Sequence, residues 1–267
     1  MSRVVWLNGG FVEPAAAALS IDDPGVRYGV GLFETMRCED GRVPLLDRHL
    51  ARLAGSVEAL RLYPAPAPGL VRGAIVAVAS ALGPGSGRVR VTVTPHPTLL
   101  VEGEPVALDP ELRLTAVSIR GAWYPGRRIA EHKTLSFLGW HDAQRRAEEA
   151  GADTALLLDQ RGRLGEASTA NVFCVIGGAL VTAPVDGILP GVTRGVVLEL
   201  ASVDEEALDE GAWRAADEMF VTSAVRGVVP VVACDGRPVG AGEAGTVTGA
   251  IRSAVAEALQ GNVPHHR

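Results

Sequence analysis

The stretch Arg88-Val89-Arg90-Val91-Thr92-Val93-Thr94 alternates without a break. It predicts a strand with one apolar face. Between residues 47 and 60 the period changes to that of a helix. Leu50, Leu53, Val57 and Leu60 share one face, and Asp47 is placed to cap it. A second helix fits Leu70 to Leu82. Val4–Leu7 and Phe11–Glu13 flank Asn8-Gly9-Gly10 as one hairpin. Leu32–Cys38 and Arg42–Leu46 flank Glu39-Asp40-Gly41 as another. Pro95, Pro97, Gly103, Pro105 and Pro110 then predict irregular chain over roughly 97–110. The boundaries that follow are a small α+β domain at 1–102, a linker at 103–110 and a larger domain at 111–267.

Beyond the linker, strands are expected at Leu112–Ser118, Thr154–Leu158, Asn171–Ile176, Ala179–Thr182, Glu218–Thr222 and Val228–Val232. Helices are expected at Leu138–Ala150, closed by Gly151, at Val192–Ala201, opened by Pro190-Gly191, and at Gly245–Gln260. No fixed-period repeat appears. The two halves read as separate α+β layers.

Composition narrows the function class. A chain of 267 residues with 47% hydrophobic and 21% charged positions can bury a large core. A net charge of −6 without a basic block argues against nucleic acid as a partner. The N-terminus reaches Asn8-Gly9-Gly10 too soon for a signal peptide, and no apolar run is long enough for a membrane span. Cys38, Cys174 and Cys234 have neither metal-ligand spacing nor a disulfide pattern. They fit reduced thiols in a cytoplasmic protein.

One residue stands out. Lys133 is the only lysine, beside 24 arginines. A guanidinium stays protonated, whereas a primary amine can lose its proton in an apolar site and condense with an aldehyde. Leu189-Pro190-Gly191-Val192-Thr193-Arg194 runs into a helix start, whose free N–H groups and hydroxyl could seat an anion. Thr222-Ser223-Ala224 ends a strand in small residues. Glu166 lies in Gly165-Glu166-Ala167-Ser168-Thr169-Ala170-Asn171, read as a loop ahead of a strand. Arg52 sits beside an apolar helix face in His49-Leu50-Ala51-Arg52-Leu53. Taken singly these are an ordinary cap, a solvated acid and a surface arginine packing its stem.

Their order along the chain resembles the class IV aminotransferases, the fold-type IV enzymes that use pyridoxal 5′-phosphate (PLP). The resemblance also runs through Tyr28-Gly29-Val30-Gly31-Leu32-Phe33-Glu34-Thr35-Met36-Arg37 and through Glu218 to Val231. It implies a two-domain α+β protein, a cofactor between the domains, a homodimer and an amino-acid-like substrate. Lys133 resembles the lysine that joins the cofactor aldehyde and later shuttles protons. Glu166 resembles the acid facing the pyridine nitrogen, and Arg52 the arginine on the phosphate. Val192 and Thr193, with Ser223 and Ala224, resemble the phosphate cradle. Substrate contacts are implied at Tyr28, Thr35, Arg37 and Arg226. No metal is implied.

Departures from the family pattern bear on the reaction. Leu138 stands five residues after Lys133, where branched-chain transaminases place a tyrosine. Thr94-Pro95-His96-Pro97 lacks the arginine of the D-amino-acid transaminases. Ala224-Val225-Arg226-Gly227-Val228-Val229-Pro230 looks more like the aminodeoxychorismate lyases. The first expectation is therefore a lyase that releases pyruvate and gives 4-aminobenzoate. The alternative is an amino-acid transaminase of branched-chain or D-amino-acid type. A PLP-binding protein with little catalytic power is disfavoured by the intact lysine and acid.

Overall fold

A computed structural model describes residues 3–261. The chain divides into two compact units. One comprises residues 1–108 with 132–137, the other 109–131 with 138–267.

The first unit holds a five-stranded antiparallel sheet in the order β2-β1-β5-β4-β3. Its strands are β1 (Val4–Leu7), β2 (Gly10–Val12), β3 (Leu32–Glu39), β4 (Ser86–Val93) and β5 (Leu99–Pro105). A short helix, α1 (Pro24–Tyr28), precedes β3 and is capped by Asp23, whose carboxylate accepts from the Gly25 N–H. Helices α2 (Leu46–Leu60) and α3 (Pro68–Leu82) cover one face. Alternation decides which side chains meet them. Leu32, Met36 and Cys38 of β3 join Val89, Val91 and Val93 of β4 and Leu53 of α2 in one core.

Three expectations fail here. Residues 42–46 do not pair as a strand. Only Arg42 bridges back to Glu39, and β3 takes β4 as its partner along its whole length. Asp47 does not cap α2. The N-cap is Leu45 in a left-handed conformation, and Asp47 lies in the first turn and pairs with Arg72. The expected break at 97–110 contains β5, which lies between β1 and β4, so the linker expected at 103–110 starts inside a strand. Gly103 reads as a breaker in sequence. In the sheet it is a site of close packing, where an added Cβ would lie 2.7 Å from Val78 Cγ1 and 3.1 Å from Leu82 Cδ1.

Residues 132–137, expected in the larger domain, run along β3. The Phe33 N–H donates to the Lys133 carbonyl and the Leu135 N–H to the Gly31 carbonyl, both at 2.9 Å. Leu32 and Thr134 form a bridge.

The second unit is built on a nine-stranded mixed sheet. Six strands close on themselves: β6 (Leu114–Arg120), β7 (Thr154–Leu158), β8 (Leu164–Ala167), β9 (Ala170–Ile176), β12 (Glu218–Ser223) and β13 (Gly227–Cys234). Pairing of β8 with β9 completes the ring. Strands β10 (Ala179–Thr182), β11 (Asp204–Glu205) and β14 (Arg237–Pro238) extend it. β6 and β7 are parallel, joined through α4 (Leu138–Glu149). α5 (Val192–Leu200), α6 (Glu210–Arg214) and α7 (Thr246–Leu259) complete the unit. Glu166, expected on a loop, is on β8. Its run of small residues suits a strand buried along its whole length.

All three cysteines are buried. Burial pushes the Cys174 and Cys234 thiols up to about 12, which leaves them protonated small hydrophobes. No helix among the described residues is long and apolar enough to cross a membrane.

Candidate active site

In the first unit, the sheet face away from the helices carries the candidate chemistry. Phe33, Thr35 and Arg37 alternate on β3. Arg90 stands directly opposite Thr35 on β4. The Arg90 guanidinium lies 3.7 Å from the Phe33 ring centroid. The Lys133 Nζ approaches the same ring at 4.4 Å. Two basic side chains therefore share one aromatic ring. Burial, with Arg88 nearby, pushes Arg90 down to about 10. Phe137 packs edge-on against Phe33 at 5.7 Å between centroids. The residue before Lys133 is also anchored, with His132 Nδ1 3.0 Å from the Ser56 hydroxyl on α2.

The sequence-derived substrate residues do not all fall on this face in the same way. Thr35 does, beside Arg90. Arg37 is engaged by Glu39. Tyr28 ends α1 and is 66% exposed. Sequence reasoning missed Arg90. Its signal is the polar half of the Arg88–Thr94 alternation, opposite the apolar face that marks the strand.

On the covered side of the same strand, Glu34 faces α2. Its carboxylate accepts from Arg52 Nε at 2.8 Å and Nη2 at 2.6 Å, and from His49 Nδ1 at 2.8 Å. Burial alone would raise the Glu34 pKa. The His49 hydrogen bond and the charge and hydrogen bonds of Arg52 outweigh it, bringing Glu34 down to about 2. The bidentate contact fixes the plane of the Arg52 fork. His49, Arg52 and Ser56 thus place three polar contacts along one stretch of α2.

In the second unit, three polar side chains line up across neighbouring strands. Glu166 on β8 is opposite Asn171 on β9, and Asn171 is opposite Thr222 on β12. Directly opposed residues point to the same face. Glu166 accepts from the Trp140 indole N–H at 2.9 Å and from the Leu189 N–H at 3.2 Å. Asn171 donates to the Leu189 carbonyl at 2.8 Å, so that residue is held at both its N–H and its carbonyl. The Thr222 hydroxyl is buried and has no hydrogen-bond partner among the described residues.

Leu189 leads through Pro190 to Gly191, the N-cap of α5. Among the described residues no side chain caps this helix. The first turn, Val192 and the buried Thr193, offers N–H groups of the kind that bind anions. Gly191 is required for packing, since an added Cβ would lie 2.0 Å from Asn171 Oδ1. Ser223 ends β12, and its hydroxyl accepts from the Arg226 N–H at 3.3 Å. Ala224 follows in the turn, and Arg226 is exposed.

The five-stranded antiparallel sheet and the closed mixed sheet give the architecture of fold-type IV aminotransferases. Residues 31–234 match amino-transferase class IV, and the chain belongs to that family. A Methanocaldococcus jannaschii protein provisionally named a branched-chain-amino-acid aminotransferase is 32% identical, over 91% of this chain and 92% of its own. The D-alanine aminotransferase of Bacillus licheniformis is 26% identical over 96% of each chain. A branched-chain amino acid aminotransferase from T.th., solved in complex with N-(5′-phosphopyridoxyl)-L-glutamate, superposes with a TM-score of 0.88. It is 27% identical, over 98% of this chain and 96% of that one. These relatives are transaminases, which moves the balance from the lyase expected first to the transaminase.

Proposed function

We propose that the protein is an amino-acid transaminase of branched-chain type, moving an amino group between an aliphatic amino acid and a 2-oxo acid. Family membership makes it an enzyme, and its cofactor is PLP. The cofactor supplies an aldehyde that takes up the amino group and a ring that absorbs the electron pair left at Cα. The residues present fit that group. The row from Glu166 to Thr222 crosses two strand spacings, about 10 Å. It has an acid at one end, and at the other an orphaned hydroxyl on the strand that leads to Ser223 and Ala224.

In this reading the Lys133 amine is the nucleophile and carries the proton to and from Cα. Glu166 holds the proton on the ring nitrogen. Arg52, the Val192 and Thr193 N–H groups, Ser223 and Ala224 hold the phosphate. The observation that carries the reading is the pairing of Arg90 and Lys133 on the Phe33 ring. A desolvated guanidinium beside the reacting amine suits the α-carboxylate of an amino acid. Thr35, directly across from Arg90, and Arg37 border that position, and Tyr28 and Arg226 are kept as candidate outer contacts.

A D-amino-acid transaminase is the second reading. It is favoured by Leu138, 78% exposed, at the position where branched-chain enzymes carry a tyrosine. We also infer a cytoplasmic homodimer, for which light scattering should give twice the chain mass.

The test is a substrate panel on purified, PLP-loaded protein. L- and D-forms of valine, leucine and alanine are each offered with a 2-oxo acid acceptor, and both products are followed by chromatography. Transfer from the L-branched amino acids is expected. Transfer confined to D-alanine selects the second reading. Release of 4-aminobenzoate from aminodeoxychorismate, without any transfer, overturns both.

A further inference from the structure

Glu166 accepts from the Trp140 indole N–H on one carboxylate oxygen and from the Leu189 backbone N–H on the other. An indole N–H only donates. It therefore stabilises the carboxylate without cancelling its charge, whereas a guanidinium in that place would form the kind of ion pair seen at Glu34. The two donors also fix the plane of the carboxylate.

Trp140 is itself held in place. It lies in the first turn of α4, and its ring packs against the cluster containing Ile119 and Leu157. Gln144, one turn further along α4, accepts from the Ser168 hydroxyl at 2.6 Å, two residues beyond Glu166. Gln144 also donates to the Asp153 carbonyl at 2.9 Å. The helix is thus docked on the end of β8 at two points one turn apart.

We propose that Trp140 is a positioning residue that sets the proton affinity of Glu166 and thereby keeps the shared proton on the cofactor's ring nitrogen. The inference rests on Glu166 being the acid that faces that nitrogen. A hydrogen bond donated to a carboxylate favours its charged form. With the indole N–H in place, Glu166 is the weaker base of the pair and the proton stays on the ring. Without it, the proton shifts towards Glu166 and the ring accepts electrons less well.

The experiment loads the full-length protein with PLP labelled with nitrogen-15 at the ring nitrogen and records its chemical shift, which reports ring protonation directly. The parent, Trp140→Phe and Glu166→Gln are compared, with turnover measured on the same samples. In Trp140→Phe the shift should move towards that of neutral pyridine, with turnover down about tenfold, the scale of one hydrogen bond to a charged group. A purely structural role would lower melting temperature or PLP affinity and leave the nitrogen-15 shift unchanged. If Glu166→Gln moves the shift and Trp140→Phe does not, the inference falls and the assignment of Glu166 stands. If neither moves it, Glu166 does not face the ring nitrogen and both fall. Should Trp140→Phe not fold, a benzothiophene side chain at position 140 keeps the indole shape, replaces N–H by sulfur, and is judged by the same shift.

Discussion

Two buried glutamates are held in different ways. Glu34 is 1% exposed and Glu166 is 5% exposed, and each sits on a strand. Glu34 is gripped by Arg52 and by His49, and its pKa falls to about 2. Glu166 accepts from an indole and a backbone N–H. Both are buried, and their contacts differ: Glu34 carries a bidentate guanidinium contact, and Glu166 carries an indole contact. A full ion pair binds a carboxylate to the fold. A neutral N–H donor orients a carboxylate and adds no opposite charge of its own.

The largest effect that sharpens this contrast is on chemistry. Glu166→Gln keeps the size of the side chain and removes the charge. Turnover should fall about a hundredfold or more, with PLP occupancy and melting temperature near those of the parent. A loss of melting temperature with unchanged rate per PLP-loaded subunit would put Glu166 in the same class as Glu34.

Glu34→Gln should behave in the opposite way, lowering stability by about 3 kcal/mol. The pH dependence has a definite sign. The folded pKa of about 2 lies below the ordinary 4.5, so this stabilisation is fully present above pH 4.5 and is lost as pH falls towards 2. Chemical denaturation across the acid range, from neutral pH towards the folded pKa, should show the parent losing stability more steeply than the variant. Parallel slopes would mean that Glu34 is not held as a charged partner of Arg52.

Arg52 joins the two roles, because the fork that Glu34 fixes is also the proposed phosphate grip. Arg52→Ala should weaken PLP binding by roughly one to two decades in a cofactor titration, at about 1.5–3 kcal/mol for a charge-assisted contact. Unchanged affinity would leave Arg52 as a purely structural partner. The smallest effect is expected at Arg90. Arg90→Met should raise KM for the amino acid about tenfold, with a smaller change in kcat. Equal falls in kcat and kcat/KM would show that Arg90 acts in the transition state rather than in substrate binding.

Much of this was legible in the sequence, for identifiable reasons. Lys133 was conspicuous because arginine replaces lysine everywhere else. α3, α5 and β4 followed from period and punctuation. The parts that were hidden depend on contacts between distant segments. Gly103 and Pro105 look like breakers until Val78 and Leu82 pack over β5. Arg90 and Phe33 are far apart in the chain and meet only because β3 pairs with β4 in the register that sets Thr35 against Arg90. Glu166 read as a solvated loop acid because a strand of small residues has little apolar signature. Trp140 lies 26 positions from Glu166, whose carboxylate accepts from its indole N–H, in a helix whose sequence shows only an isolated aromatic.

The central claim is that Lys133 is the residue on which the chemistry turns, and one property of the sequence makes it directly testable. With a single lysine in the chain, a cofactor joined to a side-chain amine can be joined only there. The PLP-loaded protein is reduced with borohydride, digested and mapped by mass spectrometry, beside Lys133→Arg. A phosphopyridoxyl group is expected on the peptide containing Lys133, near one per chain, and none in the variant, which should also lose all amino transfer. An unmodified Lys133 in a protein that still transfers amino groups would contradict it.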